Sequence, residues 1–170
     1  PRRVLASAAV ALAVVLAGAA YWASLPTYPV RQYQISRQLA AQGDYDRAAE
    51  HLDRAIAADP NNPDLLFARG RLRQKQGEWD LATIAFRAAR KIRDDGRSRV
   101  SEAYCANMAG SHALAESRYK AAIQSGFKSA AVLNNLGHSA IQTGNYKSAE
   151  AILLEALDLD PSFQAARNNL

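Results

Sequence analysis

The chain has 170 residues, of which 49% are hydrophobic and 22% are charged, so its length allows one domain with an appendage and its composition predicts a folded protein. The formal charge of +5 falls to +3 when Arg2 and Arg3 are set aside, and so small an excess of mixed sign argues against nucleic-acid binding. The single cysteine, Cys105, excludes a disulfide within the chain, and its place in a helical pattern predicts a small packing residue.

The first element in chain order is an apolar run over residues 5–25 that contains no charged side chain. A helix needs about 20 apolar residues to cross the hydrocarbon core of a bilayer, and this run is long enough. Arg2 and Arg3 precede the run, and basic residues favour the cytoplasmic side of a membrane. We therefore expect residues 1–26 to form a single-pass transmembrane anchor and residues 27–170 to be extracytoplasmic.

A cleaved signal peptide is the alternative interpretation of the same run. Ala17, Gly18 and Ala19 offer the small residues that a cleavage site needs. The apolar core of a signal peptide is about 7–15 residues long, however, which is shorter than this run. The sequence therefore favours an anchor.

The rest of the chain repeats with a spacing of 33 or 34 residues. Each repeat contains one glycine at the same position, which we call its marker glycine. Alanines lie five and twelve residues after each marker glycine, and a bulky residue lies nine residues after it. The marker glycines are Gly43, Gly77, Gly110 and Gly144, and the bulky residues are Leu52, Phe86, Tyr119 and Leu153. This pattern predicts that each unit forms two helices joined by a tight turn, in which the glycine adopts a left-handed conformation.

The repeats also contain residues that are typical of helix starts. Asp44, Ser111 and Asn145 follow three of the marker glycines and are predicted to cap the second helix of their units, with Glu78 a weaker substitute. The predicted helices are 30–42, 46–58, 63–76, 80–92, 97–109, 113–124, 130–142 and 146–158, with a ninth beginning near Phe163.

This pattern resembles the tetratricopeptide-repeat (TPR) family, whose unit has about 34 residues with small, aromatic and proline positions in the same order. The resemblance implies an all-α, TPR-type α-solenoid of stacked antiparallel helix hairpins, preceded here by the predicted transmembrane helix. It covers residues 29–170 of a predicted repeat array at 27–170, with units at about 29–62, 63–96, 97–129 and 130–163 and the start of a further helix at 164–170.

The third unit departs most from the pattern. Arg99 and Glu102 stand where apolar residues are usual, and Phe127 replaces the proline that closes the first and fourth units. Ala103 nevertheless occupies the small position, so we still expect a helical hairpin there.

Catalytic and metal-binding patterns are not found in the sequence. His51, His112 and His138 fall in three different units with no carboxylate or cysteine at ligand spacing. The sequence has no phosphate-binding loop and no nucleophile motif. We therefore expect no enzyme activity from this chain, no cofactor and no small-molecule substrate.

The resemblance to TPR proteins implies that the first helices of the units line a concave groove that holds a peptide or a partner protein. The residues that the family register assigns to this groove are Arg37, Phe67, Arg71, Lys75, Tyr104, Asn107, Asn134 and His138. The basic residues would meet carboxylates, the aromatic residues would anchor apolar side chains, and the asparagines would bond a peptide backbone. The alternative is that these polar side chains are simply solvated.

Three functions fit these features, and the first is a membrane-tethered bacterial scaffold or sensor that binds other proteins. Because the chain begins at Pro1 and ends within a repeat at Leu170, we expect it to be part of a longer protein. The order of basic pair, apolar span, proline linker and repeats also resembles the C-terminal part of bacterial transmembrane Ser/Thr kinases, whose catalytic domain lies upstream. A TPR assembly factor of pilus or secretion machinery is the third possibility.

Overall fold

The computed structural model describes residues 27–170, and the predicted transmembrane segment lies outside the described residues. Every predicted helix is present with its ends within two residues of the prediction. The helices are α1 Tyr28–Ala41, α2 Tyr45–Ala58, α3 Pro63–Lys75, α4 Trp79–Ile92, α5 Arg97–Met108, α6 His112–Gln124, α7 Ala130–Gln142, α8 Tyr146–Leu159 and α9 Gln164–Asn169.

The described residues form an all-α solenoid without strands, which confirms the predicted fold class. Successive helices pair into four antiparallel hairpins, α1–α2, α3–α4, α5–α6 and α7–α8, and each hairpin contacts the next. The short helix α9 packs against both α7 and α8. Within residues 27–170, no helix is both long and apolar enough to cross a membrane.

The four marker glycines close the turns within the hairpins, as predicted. Each has a positive φ, between 77° and 83°, a conformation that a residue with a Cβ adopts only at a cost. At Gly43 the amide donates a hydrogen bond to the carbonyl of Ala40, which satisfies one free carbonyl at the end of α1. The periodic glycines therefore fix the points at which the chain reverses.

The predicted helix caps are only partly correct. The Asp44 carboxylate accepts a hydrogen bond of 3.2 Å from the backbone amide of Arg47. Ser111 and Asn145 make no such capping bond, so the prediction for them is wrong. Asn145 instead donates to the hydroxyl of Thr143, and Glu78 instead accepts from Arg73. Neighbouring side chains thus compete with the backbone for these polar groups.

Close approach of the two helices within each hairpin explains the alternation of small and bulky residues. Ala48, Ala82 and Ala115 are completely buried on the second helices. On the first helix of the second hairpin, a Cβ added to Gly70 would lie 2.5 Å from the ring of Phe86. Side chains at these positions therefore fill the space between two backbones, and the repeat period places them there again in each unit.

The third unit forms a hairpin despite its unusual residues. Glu102 is buried, with only 7% of its side chain exposed, where an apolar residue was expected. Phe127, in place of the closing proline, covers Gly96 at the start of α5 so closely that a Cβ added to that glycine would lie 2.2 Å from the ring. Cys105 is buried on the same helix, which confirms that it is a packing residue.

Candidate functional site

The first helices of the hairpins form one continuous groove, which we call the inner groove. A cavity of about 380 Å³ lies between α1 and α3, and one of about 550 Å³ lies between α3, α5 and α7. Arg71 and Lys75, on α3, line both cavities. Arg37 and Phe67 line the first cavity, and Tyr104 lines the second. The structure therefore brings five of the eight predicted groove residues onto one surface.

Three cations of the inner groove have no acidic partner among residues 27–170. Arg37, Arg71 and Lys75 are exposed, and none forms an ion pair with any carboxylate of residues 27–170. The guanidinium of Arg71 donates to the Oε1 atom of Gln74 at 3.2 Å, and that of Arg37 lies 6.0 Å from the centre of the Tyr33 ring. These contacts orient the two arginines without neutralising them, so the groove carries a positive potential.

The two predicted aromatic anchors differ in how accessible they are. The ring of Phe67 lies 5.1 Å from that of Phe86, and the guanidinium of Arg97 lies 4.9 Å from the centre of the Phe67 ring. Tyr104 is more open, and its ring meets the ring of Trp79 edge-on at 6.3 Å. Tyr104 is therefore the better placed of the two to contact a partner.

Asn107 and His138 are tied into a network that joins three helices. The Nδ2 atom of Asn107, on α5, lies 3.2 Å from the Nδ1 atom of His138, on α7. Its Oδ1 atom lies 2.7 Å from Nδ1 of His112, on α6, and accepts from the hydroxyl of Ser139. The Asn107 amide thus contacts His112 within the third hairpin and His138 and Ser139 of the fourth hairpin.

Asn134 is similarly engaged at the last hairpin. Its side chain is buried, and its Oδ1 atom accepts a hydrogen bond of 2.8 Å from the Nδ2 atom of Asn169 on α9. The next residue, Asn135, lines the inner groove. Asn107, Asn134 and His138 therefore each contact a side chain on another helix, and ligand binding at these three residues stays a prediction.

Sequence reasoning missed several residues that line the groove. Trp79 was not among the predicted groove residues, although it borders the larger cavity beside Tyr104. Asp64 is the one carboxylate that lines either cavity in the described part of the chain, and hydrogen bonds from Arg93 and then Arg97 hold its pKa below its usual value. Its charge is thus already matched, and it leaves the three free cations unopposed.

Metal binding and nucleophilic chemistry find no support in the described residues. Residues 27–170 contain no group of three histidine, cysteine or acidic side chains that could hold a metal ion. Cys105 is buried, and burial raises the pKa of its thiol above the usual value, so the thiolate that would act as a nucleophile is disfavoured.

Two family models match parts of this solenoid. The model described as TPR repeat matches residues 37–77, and the model described as Tetratricopeptide repeat matches residues 130–163. The chain contains tetratricopeptide repeats. Such repeats in general form non-enzymatic scaffolds that bind peptides or proteins.

Solved structures with the same fold are numerous, although their sequences are distant. YrrB, described as a TPR protein with an unusual peptide-binding site, is 21% identical with a TM-score of 0.72, over 82% of this chain and 73% of its own. MamA from Desulfovibrio magneticus RS-1 is 18% identical with a TM-score of 0.72, over 81% and 78%. PilF of Pseudomonas aeruginosa is 19% identical with a TM-score of 0.73, over 84% and 65%. No curated protein sequence matches the TPR chain.

Proposed function

We propose that this TPR protein is a membrane-tethered scaffold whose inner groove binds an acidic segment of a partner protein. The observation that carries the proposal is the set of three cations, Arg37, Arg71 and Lys75, that face one groove without an acidic partner among residues 27–170. Clefts lined by one sign of charge attract ligands of the opposite sign and speed their association.

Helix α3 provides an internal contrast that supports this assignment. Arg69 and Arg73 alternate along the helix with the groove cations, and both are paired, with Asp53 at 2.7 Å and with Glu78 at 2.5 Å. Arg71 and Lys75 face the groove and have no such partner among the described residues. The chain therefore supplies carboxylates to Arg69 and Arg73. A partner would have to supply the carboxylates that pair with Arg71 and Lys75 in the groove.

The partner segment should combine acidic and apolar side chains. Val100, Tyr104 and Trp79 line the same cavity as Arg71 and Lys75, so apolar surface lies beside the positive charge. Burying an aromatic or aliphatic anchor next to charge-assisted hydrogen bonds would give both affinity and register. We infer an acidic segment with apolar residues between its carboxylates.

The proposal is tested by selecting peptides from a random displayed library on the full 170-residue chain. Peptides that bind should be enriched in Asp and Glu, with apolar residues between them. A variant with Arg37→Gln, Arg71→Gln and Lys75→Gln should bind the selected peptides at least about tenfold more weakly, because each charge-assisted hydrogen bond is worth roughly 1.5–3 kcal/mol.

The matched control changes two exposed lysines outside the inner groove, Lys91→Gln and Lys147→Gln. It should bind the selected peptides within about twofold of the unchanged chain. Selection of peptides without acidic enrichment, or equal weakening by the control variant, would contradict the proposal.

We also infer that residues 5–25 tether the scaffold and place the repeats outside the cytoplasm. The support is the length and lack of charge of this run, with Arg2 and Arg3 before it. Blotting membrane extracts with an antibody against the repeats tests the tether, since an anchored protein resists alkaline carbonate extraction.

A band much larger than 18.4 kDa that carries kinase activity would favour the transmembrane kinase, and a stable complex of fixed stoichiometry would favour the assembly factor. Release of a small soluble species would contradict the tether.

A further inference from the structure

A second charged cavity lies between the second and third hairpins, bounded by α4, α5 and α6. Its volume is about 310 Å³. Its lining residues are Arg87, Arg90, Arg99, Glu102, Arg118 and Ala121. None of these residues lines the inner groove, so the cavity, which we call the arginine cavity, is a separate surface.

The arginine cavity exists because the third unit departs from the repeat pattern. Arg99 and Glu102 occupy the positions that Leu133 and Leu136 occupy in the fourth unit, eleven and eight residues before the marker glycine. The two leucines are buried in apolar clusters. At the equivalent place in the third unit, the Glu102 side chain meets arginines from α4, and its backbone carbonyl accepts from an arginine of α6.

The arginines are oriented by Glu102, which leaves much of their hydrogen-bonding capacity unused. The Nε atom of Arg90 donates to Oε1 of Glu102 at 2.9 Å, and the Nε atom of Arg87 donates to Oε2 at 3.4 Å. Arg118 donates from Nη1 to the backbone carbonyl of Glu102 at 3.2 Å. Within residues 27–170, no carboxylate forms an ion pair with Arg118, and the hydrogen bonds of Arg87 and Arg90 to Glu102 come from their Nε atoms and not from their terminal nitrogens.

The charge of the arginine cavity is therefore not balanced. Arg99 is matched by Asp94, to which its Nε donates at 2.9 Å, and Glu102 supplies the second carboxylate. Two carboxylates thus face four guanidinium groups, an excess of two positive charges.

A neighbouring ion cluster at the same junction is balanced. Arg93 and Arg97 each contact both Asp64 and Asp95, so that two cations meet two carboxylates. Joining the second and third hairpins by ion pairs therefore does not require surplus cations. The surplus in the arginine cavity points to a ligand.

We propose that the arginine cavity binds a phosphate dianion, either inorganic phosphate or the phosphate of a phosphorylated side chain. A guanidinium presents two parallel N–H groups that match the oxygens of a phosphate, and several such groups around one site add specificity. One water occupies about 30 Å³ in the liquid, so the cavity has room for a tetrahedral anion of five heavy atoms. Because Glu102 and Asp94 hold the arginines in advance, binding does not have to order them.

The test is a calorimetric titration of the full chain with two probes, inorganic phosphate and O-phosphoserine within a short neutral peptide. The unphosphorylated peptide is the reference. Arg118→Gln should weaken binding of the phosphate probes about tenfold or more, and Arg118→Lys should weaken it less because the charge is kept. Tighter binding of the phosphopeptide would identify a modified protein as the ligand, and equal binding would identify the free anion.

Two controls separate this site from the inner groove and from loss of folding. The groove variant with Arg71→Gln and Lys75→Gln should bind phosphate unchanged, while Arg118→Gln should leave acidic-peptide binding unchanged. The thermal midpoint of Arg118→Gln should stay close to that of the unchanged chain, because Arg118 pairs with no carboxylate of residues 27–170. Phosphate affinity that is insensitive to Arg118→Gln, or that is lost in the groove variant, would overturn the proposal.

Discussion

The third and fourth hairpins bury different kinds of side chain at equivalent positions of the repeat, a charged one in the third and an apolar one in the fourth. In the fourth hairpin, Leu136 joins an apolar cluster with Ala103 and Tyr119 of the hairpin before it. In the third hairpin, the equivalent residue is Glu102, which is also buried but is held by Arg87 and Arg90 of the preceding hairpin. The repeat geometry thus determines that this position is buried. An apolar side chain or a charged side chain with bonding partners can occupy it.

The comparison predicts that the fourth hairpin is destabilised by a glutamate at the position where the third hairpin has one. Leu136→Glu should lower the free energy of unfolding by about 4 kcal/mol, because it buries a carboxylate among apolar residues that offer no cation. Urea unfolding followed by circular dichroism measures the loss. Leu136→Met, which conserves volume, should cost less than about 1.5 kcal/mol, and equal losses for the two variants would contradict the prediction.

A second prediction concerns the contact that replaces the closing proline in the third unit. Gly96→Ala should cost about 3 kcal/mol, since φ there is 73° and the new methyl group would overlap the Phe127 ring. Gly110→Ala is the matched control, because its φ is 77° and no atom lies within 4 Å of an added Cβ. It should cost only about 1 kcal/mol in the same denaturation experiment. Equal costs would mean that Phe127 moves aside freely.

Most of the fold could be predicted because the same pattern of glycine, alanine and bulky residues recurs in every unit. The glycines at 33- or 34-residue spacing located every hairpin turn, and each of them has the left-handed conformation that the pattern required. The caps at Ser111 and Asn145 were predicted wrongly, and at Asn145 the reason is that the side chain bonds the neighbouring Thr143 hydroxyl instead of the backbone. The repeat register contains no information about that competition.

The candidate site could be predicted less completely. The register placed Arg37, Arg71 and Lys75 on the inner face of the helices, and the structure has them on one groove. It could not indicate that Asn134 would meet Asn169 on the helix that follows the last hairpin. The arginine cavity was equally hidden, since it combines side chains from three helices and only two of its residues appeared as departures from the pattern.

The polar junction of the third hairpin gives a third prediction. Glu102→Ala should cost about 2 kcal/mol, because it leaves Arg87 and Arg90 without their carboxylate and opens a void. The double variant Arg99→Leu with Glu102→Leu copies the fourth hairpin and should lie within about 1 kcal/mol of the unchanged chain, since apolar packing can replace a buried ionic cluster. Thermal unfolding of both variants checks this. A double variant less stable than Glu102→Ala would show that the junction requires its charges.

The smallest expected effect is at the bulky position of the third hairpin, where Tyr119 corresponds to Leu153 of the fourth. The Tyr119 hydroxyl is buried without a hydrogen-bond partner in the described part of the chain, and burial raises the pKa of the phenol. Tyr119→Phe should therefore be neutral or stabilise the fold by up to about 1 kcal/mol. Differential scanning calorimetry resolves a shift of this size. A clear loss of stability would mean that the hydroxyl is bonded after all.

The most direct test of the central claim is a charge swap in the inner groove. Fluorescence anisotropy would measure binding of two labelled peptide pools that are identical except that the charged positions are all Glu in one and all Lys in the other. The unchanged chain should bind the Glu pool more tightly, and a variant with Arg37→Glu, Arg71→Glu and Lys75→Glu should lose that binding by at least about tenfold and prefer the Lys pool. If the variant kept the preference of the unchanged chain, the inner groove would not be the binding site.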